Sequence, residues 1–424
     1  MNFIDLFAGA GGLSEGFIRA GFNPVAHVEI DKAACNTLRT RTVYHYLKKI
    51  NNLKPYIDYL HNKITRKDLY SFVPEKEINS VINMPIDKEN NEKIFKKINY
   101  LKEGKTIDFI IGGPPCQAYS LVGRARSKNG MVGDERNFLF RGYAKFLEYY
   151  QPKYFVFENV TGLLSAKTMK EGGTPYFDMM HDLFKEKGYA TEFKILEARK
   201  FGVLQNRKRI ILIGKKNGGK GFYPEFDEVK TKVTVSEIFK DLPALQTGTG
   251  NYYATKYKPY DGDYLFKSHI RNSDKEMDFT TQHIARPNTE QDKNIYRLAV
   301  EKWNDGHQRL NYNDIPAKWQ THHNKKSFVD RYKVVAGDLP YSQTVVAHIC
   351  KDGHYYIHPD NKQNRSLTPR EAARLQTFPD DFFFEGESER PSRTAAYKQI
   401  GNAVPPLMAE KIAEKLKQLI KDGW

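Results

Sequence analysis

The sequence predicts an α/β fold, in which an open and mostly parallel sheet carries helices on both faces and is followed by a smaller, irregular domain. Strands and helices alternate through the first 215 residues. Small-residue turns follow several of the strands, and this combination is typical of parallel α/β sheets. After Lys215 the sequence mixes Gly, Asn, Asp and Tyr without clear periodicity. That change in composition and periodicity indicates a second, irregular domain.

The N-terminal elements follow directly from this pattern. The first predicted strand is Asn2–Phe7, and the turn Ala8–Gly12 connects it to a helix over Leu13–Ala20. A second strand over Pro24–Ile30 precedes a helix that runs from Asp31 to about Lys48. In such sheets ligands bind beyond the carboxyl ends of the strands, so these turns are candidate binding sites.

The remaining elements are less regular. Residues from about Tyr46 to Lys105 are rich in Lys, Asn and Ile, and we expect a helical insertion there. An amphipathic helix is predicted over Pro406–Lys421. The other predicted elements are strands over Ile107–Ile111, Tyr154–Phe157, Glu192–Ala198 and Arg209–Gly214, and a helix over Asn137–Tyr150.

Composition limits the class of protein. The chain of 424 residues has 67 Lys and Arg against 51 Asp and Glu, a net charge of +16 that favours an anionic partner, nucleic acid before membrane. A Lys-rich composition can also follow simply from an AT-rich genome. The longest apolar runs fall short of the roughly 18 residues of a membrane span, and no secretory signal is evident. Three cysteines give neither a disulfide framework nor zinc-ligand spacing, so we expect a cytoplasmic protein without a metal.

The first chemical motif is DLFAGAGG, at Asp5–Gly12. Its glycines allow the backbone to approach a ligand closely, beside the N-terminus of a helix. The dinucleotide fingerprint is not satisfied, because Ser14 stands where its third glycine belongs, and this disfavours a hydride-transfer enzyme. Glu29, at the end of the second strand, suits the two hydroxyls of a ribose.

Two further motifs carry a candidate nucleophile and a candidate acid. In GGPPCQAYS, Cys116 follows two prolines at a predicted strand end, where it should be rigid and exposed, whereas Cys35 lies in a helix and is expected in the core. In ENV, Glu158 follows strand Tyr154–Phe157 and could act as a general acid. The alternative is that Glu158 merely caps the next helix.

The fourth motif, QNRKR, spans Gln205–Arg209 and opens a predicted strand. Strand alternation would put Gln205, Arg207 and Arg209 on one face. Three donors in a row fit a polar base edge and a phosphate. A solvated basic edge strand is the alternative.

In type, order and separation, these motifs together resemble the signature motifs of the DNA cytosine-5 methyltransferases. The similarity continues with RSLTPREAARLQTFP at Arg365–Pro379 and GNAVPP at Gly401–Pro406, so it spans nearly the whole chain. It implies a Rossmann-like methyltransferase sheet, and S-adenosylmethionine as a cofactor that leaves as S-adenosylhomocysteine. It also implies a cytosine flipped out of the duplex, since a stacked base is inaccessible.

The resemblance assigns roles residue by residue. Cys116 would add to carbon 6 of cytosine, Glu158 would act at the N3 edge, and Arg209 would donate to O2. Arg207 would hold the backbone. The cofactor contacts would be Phe7, Ala10, Gly12, Glu29, Ile30, Pro115, Leu139, Asn402, Ala403 and Val404. The aspartate expected at the adenine amine stays open between Asp68 and Asp87.

The same resemblance divides the chain into a catalytic and cofactor-binding domain (1–215), a target-recognition domain (216–394) and a C-terminal segment (395–424) that returns to the catalytic domain. About 117 residues, Lys216–Tyr332, fall in the variable recognition region, and the Cys-Phe-Thr run of the RNA-acting branch is missing. Duplex DNA is therefore expected, with a tRNA methyltransferase or a catalytically silent DNA-binding protein as alternatives. We expect a monomeric, stand-alone prokaryotic enzyme, paired with a separately encoded restriction endonuclease; an orphan or phage-borne enzyme is the alternative.

Overall fold

The computed structural model describes residues 1–115, 138–169, 172–322, 325 and 328–423. At its centre lies a seven-stranded sheet, with β1 to β5 parallel and β7 antiparallel to both of its neighbours. The predicted α/β fold with a mostly parallel sheet is thus confirmed. In spatial order the strands are Val81–Asn83 (β3), Asn23–Glu29 (β2), Asn2–Leu6 (β1), Phe109–Gly112 (β4), Tyr154–Asn159 (β5), Lys208–Lys216 (β7) and Tyr189–Glu197 (β6).

Helices cover both faces of this sheet. Successive residues of a strand point to opposite faces. On β1, Phe3 accordingly shares a hydrophobic cluster with Phe17 of the first helix, whereas Ile4 belongs to a different cluster that contains Phe146 and Phe184. The helices of this half are Gly12–Arg19 (α1), Lys32–Lys49 (α2), Lys54–Leu60 (α3), Arg66–Tyr70 (α4), Glu75–Asn79 (α5), Asn91–Lys102 (α6), Leu139–Tyr150 (α7) and Tyr176–Glu186 (α8).

The stretch expected as a helical insertion, about 46–105, needs a correction. It contains α3 to α6, but it also supplies β3, which pairs with β2 and forms one edge of the central sheet. The expectation of a purely helical insertion is wrong for this reason. A strand of three residues is too short to show a period of two, and the Asn and Pro residues that follow it look like loop.

The second half of the chain is irregular, as its sequence indicated. Its strands are two residues long and form two small antiparallel pairs, and much of the remaining backbone is turn and loop. The strands are Gly250–Asn251 (β8), Thr255–Lys256 (β9), Phe279–Thr280 (β10) and His283–Ile284 (β11); the helices are Tyr264–Lys267 (α9), Glu290–Gly306 (α10), Pro369–Leu375 (α11), Arg393–Asn402 (α12) and Pro406–Lys421 (α13).

The C-terminal helix α13 lies against α1, beside the central sheet. A Cβ on Gly16 of α1 would lie 2.4 Å from the Glu410 backbone nitrogen, so glycine is needed for this close approach. Phe3 of β1 shares a hydrophobic cluster with Leu407 and Met408 of α13. The two ends of the chain therefore form one packed unit. None of the described helices is both long enough and apolar enough to cross a membrane.

Candidate active site

A cavity of about 260 Å³ opens at the carboxyl ends of β1, β4 and β5. Its walls come from the first turn, the end of β2, the Gly-Gly-Pro-Pro turn, the ENV motif, β7 and α12. The sequence-predicted residues that line it are Phe7, Ala10, Gly12, Glu29, Ile30, Pro115, Glu158, Arg209, Asn402, Ala403 and Val404. Segments almost 400 residues apart in sequence thus meet at one site.

The Gly-rich turn is held in a backbone shape that few residues adopt. Phe7, Gly9 and Gly11 all have positive φ angles, 56°, 55° and 83°, and Gly11 is the N-cap of α1. A non-glycine residue in this region is strained, and such strain is concentrated at functional sites. A Cβ on Gly12 would lie 2.2 Å from the carbonyl oxygen of Val404. The C-terminal motif therefore packs directly on this turn.

The carboxylate of Glu29 organises the second wall of the cavity. It accepts hydrogen bonds from the backbone N–H groups of Gly9 (2.8 Å), Ile30 (2.8 Å) and Asp31 (2.7 Å). Burial raises the pKa of this carboxyl. An ionised carboxylate has about four acceptor sites, so one remains for a ligand hydroxyl. Beside it the Ile30 side chain is 62% exposed and offers an apolar surface to the cavity.

Two lining residues that the sequence did not suggest form an ion pair at this cavity. The Lys398 Nζ of α12 lies 2.7 Å from Oδ2 of Asp31, the N-cap of α2. Both side chains are partly exposed. The pair joins the N-terminal and C-terminal segments across the cavity. A separation of 367 residues leaves no local signal for it.

Asp5 is a second feature that sequence reasoning missed. It lines the cavity, is 1% exposed, and within the described residues neither of its carboxylate oxygens has a hydrogen-bond partner. The nearest basic group is the imidazole of His27, whose Nδ1 lies 3.6 Å from Oδ2. Burial raises the pKa of Asp5. A buried carboxylate without a bonding partner is costly, and a cationic ligand would relieve that cost.

The Gly-Gly-Pro-Pro turn is fixed against the ENV motif. Cβ atoms on Gly112 and Gly113 would lie 1.9 Å from the carbonyl oxygens of Leu6 and Glu158, respectively, so the turn crosses both strands in tight contact. The Asn159 side-chain amide donates to the carbonyl oxygen of Pro114 at 3.1 Å. Cys116, which follows Pro115, lies outside the described residues.

Glu158 and Arg209 form an ion pair inside the cavity. The Arg209 Nε lies 2.7 Å from Oε1 of Glu158, and Arg209 also donates from Nη1 to the carbonyl oxygen of Lys208 at 2.8 Å. The Arg209 side chain is 11% exposed and the Glu158 side chain is 16% exposed, so both reach solvent through the cavity. A guanidinium has five N–H donors, so others remain available. The pair can present acceptor and donor groups side by side to the edge of a planar base.

Arg207 does not share the surroundings of Arg209, and the expected alternation is wrong here. Strand β7 begins only at Lys208. Arg207 is fully buried and donates to the carbonyl oxygens of Val345 (2.7 Å) and Ala403 (2.7 Å). It therefore ties the segment before β7 to the C-terminal motif that lines the cavity.

Three other expected cofactor positions lie away from the cavity walls. Leu139 is the half-buried first residue of α7 and is not a lining residue. Asp68 forms a capping box with Thr65 at the start of α4, and Asp87 accepts from the backbone N–H groups that precede α6. Among the described residues, no group of His, Cys, Asp and Glu side chains is arranged to hold a metal ion.

The chain is similar in sequence to known DNA methyltransferases. A family model described as C-5 cytosine-specific DNA methylase matches residues 1–68 and 75–418. The chain is 39% identical to the Type II methyltransferase M.Bpa9945I of Bacillus paralicheniformis, over 99% of both proteins. It is 31% identical to M1.HphI of Haemophilus parahaemolyticus, over 99% of this chain and 87% of the relative.

Solved structures add a likeness of fold. A crystal structure described as that of a prophage-encoded DNA modification methyltransferase from E. coli superposes with a TM-score of 0.62 at 23% identity, over 99% of each chain. The S. pombe Dnmt2 methyltransferase gives a TM-score of 0.52 at 14% identity, also over 99% of each chain. At these identities the likeness extends to the fold alone.

Proposed function

The chain belongs to the C-5 cytosine-specific DNA methylase family, and from that premise we propose that it methylates carbon 5 of one cytosine within a short sequence of duplex DNA. S-adenosylmethionine is the methyl donor and S-adenosylhomocysteine the product. One observation carries the proposal. The Gly-rich turn, Glu29, the turn that ends at Pro115, and the Glu158–Arg209 pair all line a single cavity.

The residues of the cavity fit this cofactor. S-adenosylmethionine carries positive charge on its sulfonium and amino groups, and the buried carboxylate of Asp5 supplies negative charge without a competing hydrogen bond in the described residues. Glu29 has an acceptor site left for a ribose hydroxyl. The exposed face of Ile30 offers an apolar surface to the adenine. When bound, the cofactor supplies an electrophilic methyl group.

For the adenine amine, Asn83 is a better candidate than either aspartate, because it bonds to two residues of the cavity wall, although it does not itself line the cavity. It ends β3, next to Ile30, and its amide nitrogen donates to the carbonyl oxygens of Glu29 (3.1 Å) and Ile30 (2.9 Å). These bonds leave the amide oxygen as the acceptor for an amine. Asn83→Leu should weaken binding of S-adenosylmethionine and of 5′-methylthioadenosine alike. Asp5→Asn should weaken only the binding of S-adenosylmethionine, because 5′-methylthioadenosine lacks the amino group.

The chemistry assigned to the site begins with Cys116. Carbon 5 of cytosine is too weak a nucleophile to take a methyl group unaided. Addition of the Cys116 thiolate to carbon 6 makes carbon 5 electron-rich, and carbon 5 then attacks the methyl group. Glu158 acts at the N3 edge and offsets the negative charge that develops on the ring. A water molecule then takes the proton from carbon 5, the electron pair of that bond re-forms the double bond between carbons 5 and 6, and the Cys116 thiolate departs, which restores the aromatic ring.

Arg209 orients both the carboxylate of Glu158 and the target cytosine. Its Nε lies 2.7 Å from the Glu158 carboxylate, Arg209 lines the cavity, and the N–H groups that bind neither Glu158 nor the Lys208 carbonyl can donate to cytosine O2. A base stacked in a duplex cannot enter this cavity, so the cytosine must rotate out of the helix.

The adduct has a direct test. DNA with 5-fluorocytosine at the target position cannot lose a proton from carbon 5, so the covalent complex should accumulate. Intact mass spectrometry should then show protein plus one DNA strand for the native enzyme and free protein for Cys116→Ser. An equal adduct yield with Cys116→Ser would remove this residue from the mechanism.

The names of the relatives support a proposed biological role. The similar proteins are named Type II methyltransferases, and we infer that this monomeric enzyme protects host DNA from a separately encoded endonuclease with the same recognition sequence. Host DNA should resist that endonuclease, while DNA from a strain lacking the methyltransferase should be cut. A genome without any such endonuclease gene would contradict this role.

A further inference from the structure

Strand β6 forms one edge of the central sheet, because within the described residues it pairs with β7 on one side only. It is nine residues long, whereas β3 at the opposite edge has three. A long, open edge can pair with a strand of another chain, and short edge strands avoid this. The edge at β6 is therefore the one to which a further strand can add.

The odd-numbered residues of β6 direct their backbone groups away from β7. Just before the strand, the N–H of Asn217 donates to the Gly188 carbonyl oxygen at 2.9 Å. Just after it, the N–H of Ala198 donates to the Arg207 carbonyl oxygen at 2.8 Å, and the register between these two pairs is unbroken. Inward and outward residues alternate in an antiparallel ladder. In the described part of the chain, the outward backbone groups without a backbone partner are those of residues 189, 191, 193, 195 and 197.

Two apolar side chains on one face of β6 are exposed beside this open edge. Phe193 and Ile195 alternate with residues of the other face and are 39% and 45% exposed. The centre of the Phe193 ring lies 4.6 Å from that of Phe177 in α8, at an angle of 64°. The Phe193 ring is thus held against its own chain and still presents apolar surface to a neighbouring strand.

The other face of β6 carries one acid and one base at the middle of the strand. Glu192 accepts hydrogen bonds from the backbone N–H groups of Gly221 and Tyr223, the latter at 2.7 Å. Lys194 forms an ion pair with Glu225, and the two side chains are 40% and 87% exposed. An exposed pair of this kind is weak, and a carboxylate has about four acceptor sites. Both Glu192 and Lys194 can therefore interact with charges on an added strand.

The strand is complementary to a second copy of itself. Phe193 is its central residue, so a twofold axis at Phe193 pairs all nine residues with those of the second copy. In this antiparallel register Glu192 lies opposite Lys194 on both sides of the axis. Thr191 lies opposite Ile195, and the two Phe193 rings meet at the axis. The outward backbone groups of each strand also face those of the other, as a hydrogen-bonded ladder requires.

Charge excludes the neighbouring twofold registers. Side chains keep to their own face only if the strand slips by an even number of residues, so the nearest alternatives place the axis at Glu192 or at Lys194. The first brings two carboxylates opposite each other, and the second brings two ammonium groups opposite each other. Like charges in directly opposite positions destabilise a strand pair. The register centred on Phe193 is the one that avoids this repulsion.

We propose that β6 pairs with β6 of a second copy of this chain, as antiparallel strands about a twofold axis at Phe193, and that the enzyme thereby forms a reversible dimer. The two sheets then continue into each other across the interface. None of the β6 residues lines the active-site cavity, so each chain remains a complete catalytic unit. The monomeric enzyme associates as its concentration rises, and the inference does not depend on methyl transfer.

Exchange of charges between two variants tests the pairing. Sedimentation velocity of the native chain between about 1 and 100 µM should show a monomer that becomes a dimer. Glu192→Lys and Lys194→Glu should each raise the dissociation constant of the dimer by about tenfold or more, because each places like charges opposite each other. An equimolar mixture of the two variants should recover native association, because opposite charges then face each other in the mixed dimer.

Lys97→Glu is the matched control, since it makes the same change of charge at an exposed position of α6 and should leave association unchanged. Phe193→Glu should abolish the dimer by placing two carboxylates at the axis. Native circular dichroism verifies the fold of every variant. A native chain that stays monomeric throughout would overturn the proposal and leave the edge to a strand of another protein. A dimer unaffected by Phe193→Glu, or a mixture that associates no better than its two components, would overturn it as well.

Discussion

Gly113 offers a test of how closely the two catalytic segments are joined. It lies between the end of β4 and the two prolines that precede Cys116. A Cβ at this position would lie 1.9 Å from the Glu158 carbonyl oxygen, whereas real Cβ contacts essentially never fall below 3.0 Å. Gly113→Ala must therefore move the turn and β5 apart by 3.0 − 1.9 = 1.1 Å.

Under the proposed mechanism, a shift of this turn would misplace the segment that leads into the proposed nucleophile relative to the proposed acid, Glu158. Misplacement of catalytic groups by about 1 Å lowers a rate by roughly 100-fold, equivalent to about 2.7 kcal/mol at 1.36 kcal/mol per tenfold change. We expect kcat for methyl transfer to fall by about this factor, while the dissociation constant for DNA stays near its native value. Transfer of a labelled methyl group to DNA, followed in a single turnover, measures the chemical step.

Gly219→Ala is the matched control, because a Cβ there would have no atom within 4 Å. It should leave kcat unchanged. Should Gly113→Ala not fold, Asn159→Ala loosens the same junction without an overlap, by removing the bond to the Pro114 carbonyl, and should lower kcat at least about tenfold. A folded Gly113→Ala enzyme with native kcat would refute the reasoning.

The remaining predictions concern single side chains. Glu158→Gln should slow methyl transfer by about 10²- to 10⁴-fold without weakening DNA binding; an unaltered rate would return this residue to a capping role. Arg207→Leu should lower the free energy of unfolding, measured in urea, by about 3 kcal/mol, because the buried carbonyls of Val345 and Ala403 lose their charged donor. Lys208→Ala, at an exposed position, is the control and should change that free energy by less than about 0.5 kcal/mol. Burial lowers the pKa of His283 from 6.5 to about 4. Between pH 6.5 and about pH 4, His283 is therefore protonated in the unfolded chain but neutral in the folded chain. The free energy of unfolding should fall on acidification through that window, by up to about 1.4 kcal/mol per pH unit, and His283→Gln should flatten the fall; an identical slope would exclude His283. Lys398→Met should speed cofactor dissociation in stopped-flow fluorescence by opening the pair with Asp31, and an unchanged rate would show that the pair does not restrict exit.

Much of the site was predictable because parallel strands end at a common edge. Glu29 and Glu158 follow this rule, and their motifs lie at the ends of β2 and β5. Arg209 joined them because β7 pairs with β5 in antiparallel register. The sequence pattern predicted that ligands bind at the carboxyl ends of the strands, whereas the strand order and the antiparallel direction of β7 came only from the structure.

The rest depended on contacts without local periodicity. Arg207 was misplaced because the expected strand reached back to Gln205, whereas Ser342 pairs with that segment and ends the regular ladder. The strand β3 was too short to detect. The Arg-rich signature before Pro379 also has a role that its sequence did not reveal. Its arginines are fully buried and bind acids or backbone carbonyls of the second half of the chain, as Arg374 does with Asp241 and Asp380, so this motif holds separate segments of that half together.

The most direct test of the central claim is base-resolution bisulfite sequencing of unmodified plasmid DNA after incubation with the enzyme and S-adenosylmethionine. Conversion-resistant cytosines should appear at one position of one short recurring sequence, and conversion should be complete with Cys116→Ser. Complete conversion with the native enzyme, after cofactor binding has been verified by calorimetry, would contradict cytosine-5 methylation of DNA.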